Sequence, residues 1–142
     1  MIARPCTWGQ SRGRTALAIV IQMKLVEENP AVTDFRSRLS DCRTSLAGLL
    51  WTPWELSDAE AELRASLSIN EDLAKASPTV PGYRDNLASG HMNLSDLARG
   101  RGGVAEARDG YDRAIALRER LVEEAPELPI DRNYLAYSLR RL

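Results

Sequence analysis

The chain has 142 residues, 44% of them hydrophobic and only 6% aromatic, with a formal net charge of -1. That is enough chain for one domain with a sizeable core, in a composition that favours a helical protein over a β-sandwich or a disordered tail. The balanced charge supplies no global field for nucleic acid or an acidic membrane, and Cys6 and Cys42 lie too far apart for a CxxC zinc or redox motif or a disulfide framework.

In chain order, residues 1–14 read as a disordered leader. The run "ALAIVI" that follows is too short for a signal-peptide core or a membrane span, which leaves a reduced, cytoplasmic setting as the default. It fits a partial helix over 15–30 that ends at Pro30. Pro78 and Pro126 follow at intervals of 48 residues, and the register between them has no gap. Leu25, Leu73 and Leu121 form one column, Arg36, Arg84 and Arg132 another, and Leu39, Leu87 and Leu135 a third. Ile19, Leu67 and Ile115 align as well, as do Leu46, Leu94 and Leu142. A fixed period of this kind marks an array of supersecondary units.

Each period holds two amphipathic patterns. Phe35, Leu39, Cys42, Leu46 and Leu49 repeat at steps of three and four, and Tyr83, Leu87, His91, Leu94 and Leu97 repeat the same face one period later. A second pattern runs through Ala59, Leu63, Ser66, Leu67 and Leu73, echoed by Ala107, Tyr111, Ala114, Ile115 and Leu121. Helices are predicted near 33–51, 57–76, 81–99 and 104–124, with partial helices at both ends. Ser57 and Glu60 have the spacing of a capping box. "RGRGG" at 99–103 supplies glycine for a left-handed helix end, and the prolines stop the second helix of each pair.

With the pairs in place, "HMNLSDLARGRGGVAEARDGYDRA" at 91–114 resembles the tetratricopeptide repeat (TPR) family. Its spacing of large, small, glycine, alanine and aromatic positions is met by His91, Leu94, Ser95, Ala98, Gly102, Ala107, Tyr111 and Ala114. The copy before it is degenerate, with Trp54 in the turn-glycine slot, and the period exceeds the usual ~34 residues. The resemblance implies an all-α fold of antiparallel helix-pair repeats stacked as a short right-handed α-solenoid. One domain is expected over 15–142: a partial pair at 15–30, repeats at about 31–78 and 79–126 by the 48-residue register, and a partial repeat at 127–142.

Long-period arrays of this kind are similar to those attached to bacterial serine/threonine kinases and other signalling proteins, although no kinase motif is present here. The resemblance implies a non-enzymatic scaffold binding a peptide or helix in a groove lined by first helices. By register that groove is Asp41, Thr44, Ser45, Gly48 and Trp51, then Ser89, Met92, Asn93, Asp96 and Arg99, then Tyr137, Arg140 and Arg141. Of the positions with which some family members clamp a C-terminal carboxylate, only Asn93 and Arg141 match, so no such clamp is expected. The alternative is a structural spacer or self-association segment of a larger signalling protein. Leu135, Leu139 and Leu142 have no following helix to cover them, which points to a fragment of a longer array or to association through that end.

Enzymatic readings are thin. His91, the only histidine, sits on an apolar face and reads as a packing residue, and no cofactor or metal site is expected. Cys42 reads as a small core residue. The arginine column reads as structural, bonding acids or carbonyls at the end of the preceding helix. Trp54 reads as a packing residue folded over the seam of its pair, and Trp51 as a groove anchor or a packing residue.

Overall fold

The computed structural model describes residues 7–127 together with Tyr137 and Arg140. Five helices account for the described fold: α1 (Thr7–Glu28), α2 (Thr33–Leu49), α3 (Leu56–Ala76), α4 (Pro81–Gly100) and α5 (Val104–Glu124). No strand occurs among the described residues. The four central helices lie within two residues of their expected bounds, because prolines and glycines mark their ends. Contacts divide the chain into two compact units, Met1–Ile69 and Asn70–Leu142, with the boundary inside α3.

The 48-residue register is also a register of structure. After each second-type helix the same backbone bond closes the last turn: Asn29 to the Leu25 carbonyl, Ser77 to Leu73 and Ala125 to Leu121, at 2.9–3.0 Å. Val32 and Val80 then donate to Asn29 and Ser77, and each precedes a first-type helix in extended conformation. Burial repeats in step as well: Ala59 with Ala107, Leu63 with Tyr111, Ser66 with Ala114, and Leu73 with Leu121 are all buried. Leu73 and Leu121, both fully buried, each contribute about 1.5–3 kcal/mol through burial.

In the first unit, α2 meets α3 through a buried hydroxyl cluster. Ser40 and Ser66 share a hydrogen bond at 2.7 Å, Thr44 joins Ser66 at 2.8 Å, and Arg43 pairs with Glu62 at 2.8 Å. In the second unit the matching positions are Ala88, Ala114 and Met92, part of the apolar core between α4 and α5. The two copies thus keep one backbone plan and fill it with different chemistry.

Three local expectations are corrected. Half of the expected leader is helical, since α1 begins at Thr7. The Arg12 guanidinium donates to both Glu55 carboxylate oxygens, at 2.6 and 2.8 Å, and to the Leu49 carbonyl at 2.8 Å, tying α1 to the turn between α2 and α3. The capping box does not form: α3 starts at Leu56, Ser57 is already inside it, and the Glu60 carboxylate accepts from Arg64. Trp54 does not pack over the seam; it is 92% exposed, because Thr52, Glu55 and Arg12 close that turn with polar bonds. The glycine reading at the other turn holds. Gly102 has φ +84°, with Gly102 bonding the Arg99 carbonyl and Gly103 the Ala98 carbonyl, the pair of bonds of a Schellman end.

Candidate functional site

The expected ligand face lies on α4, with Tyr137 and Arg140 in the same unit. Proline at the first position and the Schellman end fix the length of α4, and its spacing of three and four residues turns Ser89, Met92, Asn93 and Asp96 toward neighbouring positions. Ser89, Met92 and Asn93, with Asp85 one turn earlier and Arg118 from α5, line a pocket of about 330 Å³.

Arg118 is its most unusual member, with a side chain only 1% exposed. Its Nε donates to Asp85 Oδ1 at 3.1 Å and its Nη2 to Ser89 Oγ at 2.9 Å, while Nη1 contacts the Met92 sulfur. A buried guanidinium is tolerated only with a carboxylate and hydrogen-bond acceptors around it, and these three α4 side chains supply them. Sequence reading missed Arg118. The signal was a polar column, Gln22, Asn70 and Arg118, at 48-residue spacing on otherwise apolar helix faces.

Farther along α4, Asp96 accepts from the Tyr111 hydroxyl and, at 3.4 Å, from the Tyr137 hydroxyl. Burial first, then the Asp96 carboxylate, pushes the Tyr111 phenol far above its ordinary value, and the same causes raise Tyr137. Tyr137 also packs against the α4–α5 core. Arg99 and Arg140 are exposed, while Arg141 lies outside the described residues.

The α2 part of the expected face, in the first unit, divides. Asp41, Ser45 and Gly48 are exposed, and Trp51 is 43% exposed. Thr44 is turned inward to Ser66, because the buried Ser66 hydroxyl needs partners. Met92 likewise belongs to the core while still lining the pocket.

In the arginine column, Arg84 has a structural partner, but a different one from that expected. Arg84 pairs with Glu124 at 2.6 Å, at the end of the following helix rather than the preceding one. Arg132, Cys6, Leu135, Leu139 and Leu142 lie outside the described residues. Cys42 is a partly buried free thiol, and among the described residues no group of three acids, histidines or cysteines could hold a metal ion. No described helix is long and apolar enough to cross a membrane.

His91 is partly buried beside α5, and burial, followed by the Arg113 charge, lowers its pKa. The unfolded chain therefore takes up a proton that the folded chain resists, so stability is expected to fall as pH drops through about 6.5, the ordinary histidine value. Urea unfolding from pH 7.5 to 5.5 checks this: His91→Gln should flatten the dependence in that window, and an unchanged slope would reject it.

No protein-family model matches the chain, and no curated protein or solved structure shows significant similarity to it. The described residues define a class: an all-helical protein of repeat-like helix pairs.

Proposed function

We propose that the chain is a non-catalytic interaction scaffold of TPR-like design, acting in the cytoplasm and binding an extended or helical peptide along its first-type helices. The observation that carries this reading is the α4 pocket: three residues picked by register as ligand contacts line one concavity with Asp85 and Arg118. A hydroxyl, an amide, a thioether and a carboxylate side by side offer both polarities of hydrogen bond and an apolar contact, which suits a peptide better than one charged small molecule. Arg99, exposed near the C-terminal end of α4, adds an adaptable cation, and arginine is among the residues that concentrate binding energy.

The test is selection of peptides from a random displayed library on the full chain, then affinity measurement with purified peptides. Asn93→Ala and Arg99→Ala are expected to weaken a selected peptide about tenfold each, roughly 1.4 kcal/mol, with the helical spectrum unchanged. Selected peptides indifferent to both changes would place binding elsewhere; failure to select any would remove the reading in favour of a spacer.

A further inference from the structure

We propose that the exposed face of α1 docks the segment 128–142 of a second copy of this chain, joining copies head to tail into one continuous array. Leu17 and Ile21 lie four residues apart on α1, 60% and 50% exposed. Two periods later, Leu117 holds the register of Ile21 and packs against the α4–α5 core. At the Leu117 position, the surface that α5 packs into its helix pair is therefore apolar and open on α1, with Leu17 extending the apolar patch by one turn.

The occupant follows from the repeat. Segment 128–142 carries the first-type register, with Arg132, Leu135 and Leu142 continuing the columns of Arg84, Leu87 and Leu94. Arg84 pairs with Glu124 at 2.6 Å, and the position equivalent to Glu124 on α1 is Glu28. Docking in register sets Arg132 of one copy against Glu28 of the next, recreating that ion pair. Glu28 is half exposed and makes only a long, 3.9 Å ion pair with Lys24. Leu139 stands in the register of His91, a partly buried position of α4, so the docking segment carries a leucine where α4 carries its histidine. The surface offered on α1 is not the one presented on the other end, so the contact is heterologous and stays open to further copies.

The experiment is sedimentation velocity and equilibrium on the full chain over a broad concentration range. The expected weight-average mass climbs above the 15.8 kDa of one chain as concentration rises. Ile21→Glu should return it to one chain, with helical content checked by circular dichroism. Glu28→Arg and Arg132→Glu should each weaken association, and mixing these two variants should restore it, which a folding defect cannot imitate. A single-chain mass throughout, association untouched by Ile21→Glu, or failure of the mixed variants to recover would each overturn the proposal. It does not depend on the peptide-binding reading, whose variants lie on α4.

Discussion

Arg118→Ala is expected to destabilise the chain by about 3 kcal/mol, in the range for breaking a buried ionic arrangement. The loss has two parts. The side chain is 1% exposed, so truncation leaves a void beside Met92; and Ser89 and Asp85 lose their shared donor. Arg118→Met separates them, because it keeps most of the volume and removes the charge. Asp85 is 44% exposed and can rehydrate, so the methionine variant is expected within about 1 kcal/mol of the parent. Urea midpoints with slopes checked for constancy measure both. If Arg118→Met is as harmful as Arg118→Ala, the hydrogen bonds outweigh the packing and the assignment is reversed. The same pair bears on function: a scaffold using this pocket should lose peptide affinity in Arg118→Met while keeping its fold.

Gly110→Val is expected to cost about 2–3 kcal/mol, through overpacking where α5 lies close against α4. A Cβ on Gly110 would stand 2.1 Å from Ser95 Oγ and 3.3 Å from the His91 carbonyl oxygen. The first atom can rotate away, but only by giving up its 2.8 Å bond to that carbonyl, and the second is backbone. Gly110→Ala alone sets this clash against a helix-propensity gain of about 1 kcal/mol, so its net effect is expected to be small and unfavourable. In a Ser95→Ala background the 2.1 Å clash disappears, leaving only the 3.3 Å approach to the His91 carbonyl, and the same change should be clearly less unfavourable or stabilising. A double-mutant cycle should return a coupling of about 1 kcal/mol or more; additivity would show that Gly110 is there for another reason.

How much of this was legible beforehand depends on the range of the interaction involved. Helix ends were readable because Pro78, Pro126 and Gly102 act on their own turns. Buried columns were readable because a helix face is a periodic property of one segment, and the gapless 48-residue spacing let each copy vouch for the other. Trp54 was misread because the bulk of a side chain does not reveal that Arg12, more than 40 residues earlier, closes the same turn with polar bonds. Arg84 was misassigned because acids lie on both sides of the column in sequence, and only the packing of α5 on α4 brings Glu124 to it. Thr44 and Met92 had the right register for a ligand face, yet a helix of this width has positions at its border that turn either way.

The sequence by itself determined an all-helical chain of repeated pairs, the ends of those pairs and most of the buried columns, since local dihedral preference and one-dimensional periodicity suffice for them. Only the tertiary structure decided which border residues face inward, that Arg118 lies under Ser89 and Asp85, that α4 and α5 meet at Gly110, and that α1 carries an open apolar face. Each of these depends on atoms from segments distant along the chain arriving at one place, which no periodicity within a single helix encodes.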